Sequence, residues 1–83
     1  MTEVNGHVAE CNTNLEQLIK AYPEEQILRF FRFKHLPESL QGISSSFADL
    51  AICVVGTTPR CAERTVALRK LLEGKDAAVR AAL

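Results

Sequence analysis

The chain has few of the residue types that would mark a specialised class of protein. Its 83 residues contain no tryptophan, one tyrosine and three cysteines. Because Cys11, Cys53 and Cys61 are odd in number and lack the spacing of paired ligands, a disulfide framework or a zinc site is disfavoured. A cysteine nucleophile would need a histidine base, and nothing in the sequence places His7 or His35 beside a cysteine. We therefore expect small buried or half-buried thiols, no metal and no cofactor.

An excess of charge of either sign is also lacking. Ten Lys and Arg residues balance ten Asp and Glu residues, which disfavours a general nucleic-acid binder, since such proteins neutralise phosphates with a basic excess. No long apolar run predicts a transmembrane span, and the first residues lack the pattern of a signal peptide. We expect a cytoplasmic protein without membrane association. The motifs of phosphate loops, metal sites and nucleophile elbows are missing, so we predict no catalytic residues and no enzyme.

Helical periodicity is what the sequence does contain. The periodicity predicts an all-α fold. Because 47% of the residues are apolar, more than so short a chain can bury alone, we also expect the protein to assemble as a homo-oligomer. Residues 1–12 show no clear periodicity and are predicted to form a flexible arm before a single helical domain over 13–83. Thr13 and Glu16 fit a capping box that opens a short helix.

That short helix is predicted over about residues 14–21. A second short helix is predicted to open at Pro23 and to run to about Phe31, because proline is favoured at the first helical position. Residues 33–37 are predicted to form an extended connector, since Pro37 disfavours the helical conformation of Leu36.

An antiparallel helical hairpin is predicted over residues 38–83. Its first helix would end near Val55, with Gly56 as the C-cap, and its second would begin near Arg60. The apolar stripe predicted for the first helix consists of Leu40, Ile43, Phe47, Leu50, Ala51 and Val54. The stripe predicted for the second consists of Cys61, Thr65, Leu68, Leu72, Val79 and Leu83. Ser44, Ser45 and Ser46 lie beside the first stripe, where helix packing or solvent exposure is expected.

The start of the last helix carries Arg60, Arg64 and Thr65. Cations at a helix N-terminus oppose the helix dipole, so they suggest either neutralising acids or an anionic ligand. Arginine is suited to phosphate because its guanidinium donates in a rigid fork. The plainer interpretation is that Glu63 and Asp49 pair with these arginines on a solvated surface, where such pairs contribute little.

The connector before the hairpin alternates aromatic and basic residues. Phe33, Lys34 and His35 end a run in which three phenylalanines interleave with cations. Such a surface can stack bases and hold phosphates. The alternative is a bend whose rings pack in the core and whose cations are solvated.

The region around Arg64 resembles the phage anti-CBASS nucleotide-sponge family. The resemblance is carried by the proline turn at Pro59, the acidic-Arg-Thr step at 63–65, the Ala67-Leu68 pair and the Lys-Leu-x-Glu run at 70–73. The segment 31–35 is similar to the family's aromatic-x-aromatic-His opening. Further matches lie at residues 43–51 and 76–81, and the resemblance covers about residues 30–82.

The resemblance implies a non-enzymatic viral protein in the host bacterial cytoplasm. Family members form helical oligomers, commonly hexamers, that sequester the cyclic oligonucleotides made by bacterial CBASS defence. By position, Phe33 would stack a base in a pocket between paired protomers. Arg64 would meet the phosphates of a cyclic trinucleotide on a three-fold axis, supported by Arg60 and Thr65.

The sequence departs from the family at two positions. Phe33 replaces the usual tyrosine, and the expected lysine falls near Ala48. Lys34, His35 and the serines at 44–46 are the candidates to compensate for the missing lysine charge.

Two other functions stay open from the residues alone. One is a small helix-turn-helix DNA-binding regulator, although the neutral charge leads us to expect no duplex nucleic acid. The other is a helical protein-interaction module.

Overall fold

The chain is helical through nearly all of the residues that the structure describes. The computed structural model describes the backbone of residues 2–83 and the side chains of residues 7–83. Helix α1 spans Thr2–Ala21, a 3₁₀ helix spans Gln26–Phe31, α2 spans Glu38–Thr57 and α3 spans Ala62–Ala82, and no strand occurs between residues 2 and 83. The predicted all-α class is confirmed. Met1, the first residue of the predicted arm, lies outside the described residues.

Helix α1 begins earlier than the sequence predicted. It begins at Thr2 rather than near Asn14, so residues 2–12 are helical and the interpretation of Thr13 as an N-cap is wrong. The Thr13 hydroxyl instead donates to the carbonyl oxygen of Ala9 at 3.1 Å, as threonine does within a helix. Cys11 is buried beside the rest of the α1 core face. A cysteine is a weak apolar signal, which is why this face is hard to recognise in the sequence.

The segment between α1 and α2 turns twice. The 3₁₀ helix begins at Gln26, because Pro23 lies in a turn and Glu25 has the non-helical angles φ −93° and ψ 71°. The predicted extended connector is also a turn, in which the backbone N–H of Leu36 donates to the carbonyl oxygen of Phe33 at 3.0 Å. The first of these turns points the Glu25 side chain inward, where 8% of the residue stays exposed.

Helix α2 lies at the centre of the fold and contacts α1, the 3₁₀ helix and α3. Its bounds agree with the prediction within two residues, but Gly56 is helical and is not the C-cap; extended backbone begins at Thr58. Ile43 and Leu50 are 38% and 51% exposed, so the predicted stripe is wrong at those positions. The buried face is Leu40, Ser44, Ser45, Ala48, Ala51 and Val55. Small side chains allow neighbouring helices to approach α2 closely.

Helix α3 buries a face that includes two cations. Arg64, Leu68 and Lys75 are its buried residues, whereas Cys61 and Thr65 of the predicted stripe are exposed. The face is displaced from the predicted one because two of its members are charged, and the apolar pattern alone cannot include them. The buried apolar cluster of the whole fold is Cys11, Leu15, Ile19, Leu28, Phe31, Phe33, Ala48, Ala51, Val55 and Leu68.

One helix, α2, is long and apolar enough to cross a membrane by length and composition alone. Its apolar window is 33% buried inside this fold.

Candidate functional site

Arg64, the central residue of the sequence prediction, lies inside the fold. Its Nη2 donates to Oε1 of Glu25 at 2.6 Å, and the two side chains are only 3% and 8% exposed. Its Nη1 donates to the carbonyl oxygen of Thr58 at 3.1 Å. The guanidinium carbon lies 6.0 Å from the centre of the Tyr22 ring, at the outer limit of a cation–π contact. Arg64 thus ties the turn after α1 and the turn after α2 to the first turns of α3.

This arrangement corrects the predicted role of Arg64. A ligand phosphate cannot reach the guanidinium in this conformation, because Glu25 and Thr58 occupy the Nη atoms and the residue is 5% exposed. The Nε atom is buried without a hydrogen-bond partner among the described residues. The neutralising acid anticipated from the sequence exists, but it is Glu25 and not Glu63 or Asp49. Asp49 pairs with His7 instead, at 2.8 Å.

Arg60 and Thr65 remain on the surface beside the α3 N-terminus. Both line an open pocket of about 360 Å³, whose other walls are Glu24, Glu25, Cys61 and Ala62. Cys61 stands at the N-cap without a side-chain hydrogen bond to the helix. The first amide groups of α3 therefore keep donors for water or a ligand. Because Arg64 neutralises Glu25, the charges left at this pocket are those of Arg60 and Glu24.

The aromatic–cation segment is divided between core and surface. Phe31 and Phe33 have no exposed area, whereas Phe30 is 64% exposed. A base cannot stack on Phe33 in this conformation, because the ring is buried in the apolar core. The structure thus corrects the role predicted for that ring. Lys34 and His35 are exposed, but they line different pockets.

Lys34 borders an open cleft of about 710 Å³ between α1 and the start of α2, together with Val8, Glu38 and Gln41. His35 borders a smaller pocket of about 290 Å³ with Arg29 and Phe30. The six predicted ligand-binding residues are therefore not one site: Arg60 and Thr65 share a pocket, and the others lie in the core or in two separate depressions.

Ala48 has no exposed area and lies in the core. A lysine there would place its charge among buried apolar side chains, which is costly without a partner. The lysine that the resemblance expects therefore has no equivalent place on this surface.

The three cysteines lie in different surroundings. Burial raises the pKa of the Cys11 thiol to about 12, and the nearby Asp49 carboxylate adds to the rise. The thiol donates to the carbonyl oxygen of Ser45 at 3.4 Å. Cys53 and Cys61 are exposed, and all three cysteines are free thiols. No cluster of three or more potential metal ligands occurs in the described part of the chain.

The sequence analysis did not predict the long-range contacts of Glu25 and Lys75 or the exposure of the Phe30 ring. Glu25 lies two residues after Pro23, and nothing local in the sequence identifies a partner 39 residues away. The Lys75 Nζ donates to the carbonyl oxygen of Phe30 at 2.7 Å, across 45 residues. The alternation of three phenylalanines with cations was a usable signal, but it does not tell which ring is exposed.

No family model, no curated protein sequence and no solved structure matches the chain.

Proposed function

We propose that the protein is a non-enzymatic, viral anti-defence protein that sequesters cyclic di- or trinucleotides and so blocks CBASS-type signalling. The family resemblance over residues 30–82 motivates the proposal. The observation that supports it best is the open α3 N-terminus, where Arg60 and Thr65 line a pocket next to uncapped helix amides. Amide donors at a helix N-terminus and an arginine are a favourable combination for phosphate.

In this proposal Arg60 and Thr65 contact the ligand, and Arg64 has a positioning role. The pair between Arg64 and Glu25 holds the turn that forms one wall of the pocket. It also removes the Glu25 charge that would otherwise repel a phosphate. Glu24 lines the same pocket and has no such partner within the described residues. Its carboxylate therefore opposes anion binding, and this repulsion weakens as the salt concentration rises.

Assembly is the second part of the proposal. Ile43, Leu50 and Val66 are between 38% and 51% exposed, and a helical hairpin of α2 and α3 would offer these side chains to another copy. A homohexamer would bring several Arg60 and Thr65 pairs to one ligand.

Calorimetry of the purified protein against a panel of cyclic di- and trinucleotides tests the proposal. We expect Arg60→Gln and Thr65→Val to weaken binding and Glu24→Gln to strengthen it. Arg80→Gln is the matched control, because it removes the same charge from an exposed position in the last turn of α3. An absence of heat with every ligand overturns the proposal. Equal losses for Arg60→Gln and Arg80→Gln would show that only net charge matters.

Two further measurements address assembly and the DNA-binding alternative. Size-exclusion chromatography with light scattering should give a mass of several chains, and a monomer would exclude a shared ligand. Fluorescence anisotropy with duplex DNA should show no binding. A DNA reader would instead bind with an affinity that falls steeply as salt rises. The burial of Arg64 removes one cation from the surface that such a reader would use.

A further inference from the structure

We infer that the exposed ring of Phe30 and the cations around it form a second site, which binds a single nucleotide unit. This site is separate from the α3 N-terminus and does not depend on the function proposed above. A base would stack on Phe30, and the adjacent phosphate would meet Arg29, Lys75 and His35.

The exposure of Phe30 is the first observation. The ring is 64% exposed, whereas its neighbour Phe31 fills the core with no exposed area. Successive residues of a 3₁₀ helix point about 120° apart, so the burial of one phenylalanine directs the other outward. An aromatic face open to solvent is the element that stacking of a nucleobase requires.

The charge beside the ring is the second observation. Phe30 lines a pocket of about 290 Å³ with Arg29, Arg32, His35, Leu72, Lys75 and Asp76. Arg32 is already held by Glu16 through two bonds of 2.9 and 3.0 Å. Asp76 lies 3.4 Å from Lys75. Arg29 then remains as a cation without an ion-pair partner among residues 7–83, and the wall is basic in a chain whose formal charge is zero.

Lys75 is the third observation, because it fixes the platform. Its side chain is only 11% exposed, and its Nζ donates to the carbonyl oxygen of Phe30 at 2.7 Å. An ammonium has three donors. The Phe30 carbonyl and the Asp76 carboxylate account for two of them, which leaves one for a phosphate oxygen. The same lysine therefore anchors the backbone of the stacking residue and keeps an N–H donor beside it, while Arg29 supplies the unpaired charge.

The size of the pocket limits the ligand. About 290 Å³ lies at the lower end of the range for small-molecule sites. It suits one base with its phosphate, and not a whole cyclic oligonucleotide. The unit could be a free nucleotide or one nucleotide of a larger ring, and adenosine monophosphate and cyclic di-adenosine monophosphate serve as the two probes.

A tryptophan reporter tests the site directly, since the chain has no tryptophan of its own. Phe30→Trp should keep the stacking face, and its fluorescence should be quenched saturably by at least one probe. Leu50→Trp is the matched control, because Leu50 is 51% exposed on α2 and lines none of the three pockets described above. Its fluorescence should change only linearly with probe concentration. Tighter binding of one probe identifies the source of the nucleotide unit.

Binding by the unlabelled protein, followed by calorimetry, completes the test. Phe30→Leu should weaken probe binding at least about fivefold, the lower end of the effect of losing one stacked base. Arg29→Gln should also weaken it, because the phosphate loses its guanidinium partner. Arg69→Gln should leave binding of the monophosphate unchanged, because Arg69 is exposed on α3 and lines none of the three pockets. Three results overturn the site: no saturable quenching with either probe, unaltered binding by Phe30→Leu, or a Phe30→Trp emission that shifts with protein concentration alone. The last would show that a second copy of the chain covers the ring.

Discussion

The buried pair of Arg64 and Glu25 makes a sharp prediction about stability. Replacing Arg64 by alanine leaves a carboxylate that is 8% exposed without its cation. Replacing Glu25 by alanine leaves a guanidinium that is 3% exposed without its anion. In both variants a charge stays in a poorly solvated place, which is more costly than the loss of an attraction.

The expected magnitude is large for so small a protein. Removing one partner of a buried pair costs about 3–5 kcal/mol. A chain of 83 residues has a total free energy of unfolding of roughly 4–12 kcal/mol. Each single variant should therefore lose a large part of the stability and could unfold at room temperature. Replacing both residues together, by Glu25→Leu and Arg64→Met, should lose much less, because no charge is left buried.

Urea unfolding followed by circular dichroism at 222 nm measures these differences. The matched control is Lys70→Ala, which breaks an exposed pair whose Nζ and Oε1 atoms lie 3.8 Å apart. Its two side chains are 72% and 61% exposed, so we expect a loss below about 0.5 kcal/mol. Arg32→Ala should also lose little stability, since its bidentate pair with Glu16 is exposed to solvent.

The reasoning fails if both single variants unfold within about 1 kcal/mol of the wild type, the range of an exposed pair. It also fails if the double replacement is as unstable as the single ones. The result bears on the functional assay. If Arg64→Ala loses ligand binding because it unfolds, that loss says nothing about contact with a phosphate, which is why Arg60 and Thr65 are the informative positions.

Three further predictions concern the core, a helical glycine and the thiols. Phe33→Ala should lower the free energy of unfolding by about 3–5 kcal/mol, because the ring is fully buried; a loss below 1 kcal/mol would contradict its core position. Gly42→Ala should raise it by about 0.4–1 kcal/mol, since a methyl group there meets nothing within 4 Å, and a loss would indicate a neighbour in the assembly. At pH 8 iodoacetamide should modify Cys53 and Cys61 and spare Cys11, whose pKa burial raises to about 12; mass spectrometry of the native protein checks this, and rapid modification of all three would contradict it.

The helical class and the position of α2 could be predicted from the sequence because they depend on local features. An apolar residue recurs every three or four positions from Leu40 onward, and Pro37 and Pro59 limit the helix on either side. The beginning of α1 could not be predicted in this way. Its core face contains Cys11, and the Thr13 hydroxyl that imitates a capping signal bonds back to Ala9 within the helix.

The candidate site, too, could be predicted from the sequence only in part. The basic and hydroxyl residues at the α3 N-terminus are adjacent in the sequence, so their grouping was predictable, and Arg60 and Thr65 do share a pocket. Which arginine is available was not predictable. Arg60 precedes α3, which begins at Ala62, whereas Arg64 lies in the first turn of the helix and its side chain reaches Glu25.

The sequence by itself determined the composition, the neutral charge, the helical periodicity and the concentration of cations and aromatic rings in two short segments. Only the tertiary structure decided which of those groups face water. Phe30 is exposed and Phe33 is buried, and Arg60 is exposed and Arg64 is paired. The physical reason is that a charge or a ring is buried when a partner or a cavity exists for it elsewhere in the fold. Those partners, Glu25 for Arg64 and Phe30 for Lys75, lie 39 and 45 residues away along the chain.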